Sequence, residues 1–310
     1  LIFDELDFRV LKTNKYENFS KILNTSDVYT NAFPSGDATL EIIPSILTGI
    51  DLSDNTKDYN FQLNEIVFKY KNEKKKISKE QNLFKIINNK NYKIGLFGIY
   101  HRYCNIFFKE LNECYEANDE QFTINNLGLK KYLIYSLVDI IPGSSKISIF
   151  KNTNPNNFNS YDLPQLRIEN IKKFQKLFPL LIENNDFIFI HIPLPHAPWI
   201  FLNNEFNYDF YDQYAQKGYY DNMNLTDKFL GNVINYLIKK NIYENTTIFL
   251  ASDHGWRTGD EIFLGSHSKK KENRGGHVLL SIKRKYQYKQ KIIDKKIINF
   301  ELFNLIKNEL

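Results

Sequence analysis

The sequence predicts an α/β protein with a mostly parallel central sheet and helices on both faces. Three observations predict it. Short apolar runs alternate with helical patterns. The runs are apolar enough to be buried on both sides. Polar, chemistry-bearing residues gather just after their C-terminal ends, where open parallel sheets place their ligands.

Taken in order, residues 1–3 form a first strand that runs directly into Asp4 and Glu5. A loop through Ser35-Gly36-Asp37-Ala38 then delivers Thr39 to the start of a short helix. Residues 71–80 are charge-rich and read as a solvated turn or edge region, and residues 152–159 as an Asn-rich loop. Residues 92–97, 186–190, 246–251 and 278–282 are the clearest later strands. Leu230, Val233, Ile234 and Leu237 recur at i, i+3, i+4 and i+7, an apolar stripe on a helix over about residues 221–240. There is no internal repeat and no convincing linker. A single domain over residues 1–310 is therefore expected, with a smaller C-terminal portion from about residue 255 as a variant of that reading.

The 310 residues are 42% hydrophobic and 25% charged, which excludes disordered and collagen-like chains and leaves room for a sizeable core. A net charge of +5 arises from 41 basic and 36 acidic residues. Six of the basic residues are Arg, and the lysines are scattered rather than gathered on one stretch. That describes a solvated surface rather than a nucleic-acid partner. No apolar run approaches the ~18–20 residues needed to span a bilayer. The chain opens at Leu1 in mid-strand, without Met or a signal segment, and reads as a fragment lacking an N-terminal part. Membrane contact is expected only through that part.

Histidine is scarce. Of six, five lie after residue 190: His191, His196, His254, His267 and His277. A lone His is more often structural than a ligand. Here, however, Asp253 and His254 follow the strand at 246–251, His191 and His196 follow the strand at 186–190, and Asp4 follows the first strand. Several strand ends aim carboxylate and imidazole groups at one sheet edge, as a metal site assembled from separate strands requires. Thr39 at a helix start would meet unpaired N–H groups and the positive dipole end, which stabilise an alkoxide or an incoming oxyanion. The plainer reading makes Thr39 the N-cap, with Glu41 and Ile42 beginning the helix.

Together these residues resemble the sulfatase-like branch of the alkaline phosphatase superfamily. The resemblance rests on Phe3-Asp4-Glu5, Thr39 with Leu47-Thr48-Gly49, His191-Ile192-Pro193-Leu194-Pro195-His196-Ala197-Pro198, and Ser252-Asp253-His254-Gly255. Their order and spacing match across nearly the whole chain; Asp227 before Leu230-Gly231 and Asn245-Thr246-Thr247 add to it. The resemblance implies an alkaline-phosphatase-like fold and a shared metal site of Asp4, Thr39, Asp253 and His254, with Thr39 both ligand and nucleophile. It implies that His196, His191 and His267 contact the ester oxygens or protonate the leaving group. Glu5 is a second carboxylate ligand or a neighbour. Lys269, Lys270, Lys271 and Arg274 are alternative basic contacts for an anionic ester, and His277 reads as structural. The mixed oxygen and nitrogen donor set suits Zn²⁺ or Mn²⁺ better than Ca²⁺.

One departure from the family decides the substrate class. Its sulfatases make formylglycine from the Cys or Ser of a Cys/Ser-x-Pro-x-Arg motif. The matching stretch here is Thr39-Leu40-Glu41-Ile42-Ile43. Threonine cannot form formylglycine. A Thr nucleophile with Pro44 five residues on resembles the phosphoethanolamine and phosphoglycerol transferases. The expectation is therefore a metal-dependent hydrolase or transferase acting on phosphate esters, with a lipid head group or glycan in the substrate. The alternatives are a sulfatase that works without formylglycine and a catalytically degenerate member that only binds a glycan or lipid head group.

Cys104 and Cys114 are the two cysteines. In a cytosolic protein they would be two free thiols. Members of this branch commonly work outside the cytoplasm, so the resemblance opens a Cys104–Cys114 disulfide as an equal reading and places the protein in the periplasm or on the outer face of a membrane.

Overall fold

In the computed structural model, residues 1–36, 38–52, 66–70, 73–116, 162–202, 205–206, 216–257 and 276–310 are described. Eight strands form the central sheet: β1 (Ile2–Asp4), β2 (Asp27–Tyr29), β6 (Ile94–Gly98), β7 (Glu113–Glu116), β8 (Phe187–Pro195), β11 (Ile248–Ser252), β12 (Leu280–Lys283) and β13 (Lys291–Ile293). Their spatial order is β13-β2-β12-β11-β1-β8-β6-β7. Only β12 runs against the others. Three short pairs lie outside this sheet: β3 (Ala32–Phe33) with β14 (Ile297–Ile298), β4 (Val67–Tyr70) with β5 (Glu73–Lys76), and β9 (Phe201–Leu202) with β10 (Glu205–Phe206).

Alternating residues of the central strands feed two separate cores, which is why the strands are apolar on both sides. Phe3, Phe97, Ile190 and Leu250 face one core. There they meet Phe19 of α2 (Glu17–Leu23), Phe174 of α6 (Asp162–Asn184) and Phe229 of α7 (Gln216–Lys239). Their immediate neighbours Ile2, Leu96, Phe189 and Ala251 face the other core. That core holds Ile42 and Ile46 of α3 (Thr39–Thr48), Phe84 of α4 (Leu83–Asn88) and Phe303 of α8 (Leu302–Glu309). The short helices α1 (Phe8–Thr13) and α5 (Tyr103–Ile106) complete the layers. Each fully buried Phe, Leu or Ile contributes about 1.5–3 kcal/mol of burial free energy.

Several boundaries differ from the sequence expectation. Strand β8 does not stop at residue 190 but continues to Pro195, because its two neighbours hold it in turn. β6 pairs with Phe187 to Ile190, and β1 pairs with His191, Ile192 and Pro195. A register shift between Phe3 and Asp4 passes over Pro193, which has no N–H to give a ladder. Helix α7 starts at Gln216 rather than near residue 221. Gly218 lets the helix lie against Trp199, since a Cβ there would stand 2.2 Å from the indole. The stretch at 71–80 includes β5 of an antiparallel hairpin, with Glu73, Lys74 and Lys76 exposed. Residues 152–159 lie outside the described residues.

Cys104 and Cys114 are joined by a disulfide between α5 and β7. No described helix is long and apolar enough to cross a membrane.

Candidate active site

The sheet brings three strand ends together. Asp4 ends β1; β1 and β11 pair in parallel with Phe3 opposite Ser252, which puts Asp253 and His254 beside Asp4. On the other side Asp4 pairs with Pro195, and the His196 N–H donates to the Asp4 carbonyl at 3.2 Å. One ligand atom from each of Asp4, Asp253 and His254 lies within 4.8 Å of the others, and all three residues are buried.

Thr39 enters from the loop before α3. Ala38, not Thr39, is the N-cap, and Thr39 is the first helical residue. Its hydroxyl donates to Asp253 Oδ2 at 2.6 Å. Asp253 is fixed for this: its Oδ1 accepts the backbone N–H of Glu5 at 3.0 Å and of His254 at 2.7 Å. From behind, Asn299 donates to the Asp253 carbonyl at 2.5 Å and accepts the Ser35 N–H at 2.9 Å, tying the strand that carries Asp253 to the loop that leads into Thr39.

Asp4 is the opposite case. It is fully buried, and neither carboxylate oxygen has a hydrogen-bond partner among the described residues. A buried carboxylate without donors is costly unless a cation meets it. The adjoining imidazole is prepared for the same cation. His254 Nδ1 lies 2.9 Å from the Gly255 carbonyl, which can only accept, so the proton sits on Nδ1 and Nε2 keeps a lone pair. That Nε2 is 3.5 Å from Asp4 Oδ1 and 3.7 Å from Asp253 Oδ2. Two carboxylates, a neutral imidazole and the Thr39 hydroxyl are a donor set that fits a divalent transition metal.

Titration follows this crowding. Burial and the neighbouring Asp4 charge push Asp253 up. For Asp4, burial acts upward, but His196, His254 and His191 outweigh it and hold the carboxyl low. Burial lowers His254 and brings His191 down to about 4. His196 goes the other way: burial would lower it, yet Asp4 and Glu5 raise it.

Of the other residues singled out by sequence, His191 lies inside β8, with Nδ1 2.9 Å from the Tyr103 hydroxyl and a buried, unpartnered Nε2. Glu5 Oε1 accepts the Arg257 N–H at 3.0 Å, and its left-handed backbone, φ 65°, is held by the Tyr219 hydroxyl on its carbonyl at 2.8 Å. His277 packs its ring 4.8 Å from that of Phe33. His267, Lys269, Lys270, Lys271 and Arg274 lie outside the described residues.

Two residues at the site were not singled out from the sequence. His101 is buried, its Nε2 has no hydrogen-bond partner, and burial lowers it to about 3 while the nearby Thr39 backbone acts to raise it. Arg257 places Nη2 3.0 Å from His254 Nε2 and Nη1 3.1 Å from His196 Nε2. His101 stands just past the end of β6, so the strand-end rule that found Asp253 also reaches it. Arg257 lies three positions beyond His254.

A doubly covered, mostly parallel sheet with this cluster at its carboxyl edge defines an alkaline-phosphatase-like catalytic domain. More narrowly, the chain belongs to the sulfatase family, whose model matches residues 10–298. It is thus of the type that acts on sulfate or phosphate esters. Solved structures share the fold. The phosphonate monoester hydrolase SpPMH from Silicibacter pomeroyi superposes with a TM-score of 0.64 at 11% identity, over 99% of this chain and 72% of that one. Ps i-CgsB in complex with k-i-k-neocarrahexaose gives 0.61 at 15%, over 100% and 71%. The lipoteichoic acid synthase LtaP from Listeria monocytogenes gives 0.56 at 12%, over 100% and 71%. No curated protein matches the chain by sequence.

Proposed function

We propose that this domain is a metal-dependent hydrolase or transferase of phosphate esters that works through a covalent phospho-threonine on Thr39. The observation that carries the reading is the Thr39 hydroxyl on Asp253 Oδ2 beside the unpartnered Asp4 carboxylate. Asp4, Asp253, His254 and Thr39 would hold the cation. When bound, a divalent ion lowers the pKa of the nucleophile's hydroxyl and neutralises charge on the transferred group.

Thr39 Oγ1 passes its proton to Asp253 Oδ2 and attacks phosphorus, and the new O–P bond forms as the ester O–P bond breaks. His196, whose basicity Asp4 and Glu5 raise, takes up a proton on Nε2 once Arg257 no longer donates to that atom and gives it to the departing alkoxide. An acceptor hydroxyl or water then attacks phospho-Thr39 and returns a proton to His196, the Thr39 O–P bond breaks, and Thr39 Oγ1 recovers its proton from Asp253. His101 stands beside the Thr39 backbone. On the sequence resemblance, His191 and His267 are further proposed contacts near the leaving group. Lys269, Lys270 and Arg274 are proposed to face the ester anion, which belongs to a lipid head group or glycan. Zn²⁺ or Mn²⁺ is the proposed ion. The Cys104–Cys114 disulfide supports placing this single domain outside the cytoplasm.

Side-by-side assays with phosphate monoester, phosphate diester and aryl sulfate substrates test the reading, together with mass spectrometry of Thr39 after rapid quench. Phosphate turnover and a phosphorylated Thr39 are expected. Sulfate turnover with no phosphate turnover would overturn it, because nothing at residue 39 can become formylglycine.

A further inference from the structure

Arg257 brings a permanent cation to the mouth of the site. Its side chain is exposed, unlike the six residues before it, yet both of its terminal nitrogens are spent on imidazole Nε2 atoms. Those atoms act as acceptors for a defined reason. His196 Nδ1 is 2.6 Å from the Ala197 carbonyl and His254 Nδ1 is 2.9 Å from the Gly255 carbonyl, so both protons sit on Nδ1. A neutral imidazole Nε2 has one lone pair. On His254 that lone pair is the one a cation bridging Asp4 and Asp253 must use, because Nε2 is the atom facing both carboxylates. Arg257 and a divalent ion cannot share it.

We infer that Arg257 competes with the divalent cation for His254 and, once displaced by it, binds the anionic oxygens of the ester together with His196. The inference rests on the reading of Asp4, Asp253 and His254 as the cation site and adds to it a coupling between metal loading and substrate capture. Its planar fork matches two oxygens of a phosphate. A displaced guanidinium stays tethered three residues from His254, next to the imidazole of His196.

The two halves of this role have opposite signs in one variant. Arg257→Gln removes the competitor, so the apo protein binds Mn²⁺ about tenfold more tightly, the size of one charge-assisted hydrogen bond no longer broken. The same variant, loaded with Mn²⁺, binds inorganic phosphate about tenfold more weakly. Both are read by titration calorimetry. A damaged fold would weaken both together, and an unchanged melting temperature is expected because the residue is exposed. Arg257→Lys, which keeps charge but not the fork, recovers only part of the phosphate affinity. If the wild-type protein binds neither Mn²⁺ nor Zn²⁺, the cation-site reading fails and takes this inference with it. If the wild type binds Mn²⁺ and Arg257→Gln binds it no more tightly, the inference alone fails.

Discussion

Asp4 ends β1 and Asp7, three residues on, caps α1; both are fully buried, and they have opposite surroundings. Asp7 is saturated: Oδ1 accepts the Arg9 N–H at 2.9 Å and Nε at 3.0 Å, while Oδ2 takes Arg9 Nη2 at 2.6 Å and the Trp256 N–H at 3.3 Å. Asp4 has no donor on either oxygen among the described residues. The same contrast divides the wider regions. Around Asp7, the Tyr219 hydroxyl bridges the Asp7 N–H and the Glu5 carbonyl, and Asn222 spans the carbonyls of Pro195, His196 and Pro198. Around Asp4, the Nε2 atoms of His101 and His191 are also buried and unpartnered. One buried carboxylate is satisfied four times over and its neighbour, among the described residues, not at all, which is the contrast the proposed cation site rests on.

The largest test of that division is chemical. Thr39→Ala should lower turnover by about three orders of magnitude or more, as loss of a nucleophile does, with little change in melting temperature. Chelation should produce the same loss reversibly. Steady-state kinetics with and without added Mn²⁺ or Zn²⁺ checks both, and an active Thr39→Ala protein would remove the catalytic reading of the unsatisfied region.

The satisfied region should fail by unfolding instead. Asp7→Ala leaves the Arg9 guanidinium, the Trp256 N–H and the α1 N-terminus without their acceptor, and should cost about 3–5 kcal/mol of stability, the range for breaking a buried ion pair from one side. Urea denaturation measures it. A loss below 1 kcal/mol would show that this network contributes less than its hydrogen bonds suggest.

A third test separates the regions by pH. Burial holds His101 near 3 and His191 near 4, so both are neutral in the folded protein. In the unfolded chain each takes a proton below about 6.5. The folded state then binds fewer protons, so the contribution of each is complete above that value and falls with decreasing pH by about 1.4 kcal/mol per unit until its folded pKa is reached. Urea midpoints at pH 7 and 5.5, in chelator, should therefore drop steeply for the wild type. His101→Gln should show a shallower dependence, and an unchanged slope would mean that His101 is protonated in the fold.

Much of this contrast was legible in the sequence. The apolar runs located the strands because both faces of the sheet are covered, and the position of Asp4, Asp253 and His254 after strand ends located the cluster. Thr39 was reached by its helix start and by its place in the order of motifs. Three features resisted. The Pro-rich run to Pro195 hid the length of β8, since a register shift rather than residue type accommodates Pro193. His101 and Arg257 sit close to strand ends, yet a single His or Arg carries no periodicity and its role depends on which distant atom it meets. Asp7 carries a local sign of its partner in Arg9, two residues on, but nothing local shows that Asp4 lacks one or that the Trp256 N–H, distant in sequence, completes the Asp7 set.

The smallest expected effect tests the contrast most directly. Asp4→Asn keeps shape and removes the charge that burial opposes and that no described donor supports. In chelator His196, whose proton affinity Asp4 itself raises, offsets part of that cost, so the gain in stability should be modest, about 1 kcal/mol. The corresponding Asp7→Asn change should destabilise, because Asn offers Arg9 one neutral acceptor in place of a bidentate carboxylate. Added Mn²⁺ should then invert the ranking at position 4: the wild type gains stability with the logarithm of one plus the ion concentration over its dissociation constant, and Asp4→Asn does not. Thermal melts of the two variants with and without the ion are sufficient. Equal destabilisation by both substitutions in chelator would mean that Asp4 is held by the fold as firmly as Asp7, and that its two bare oxygens are not reserved for a cation.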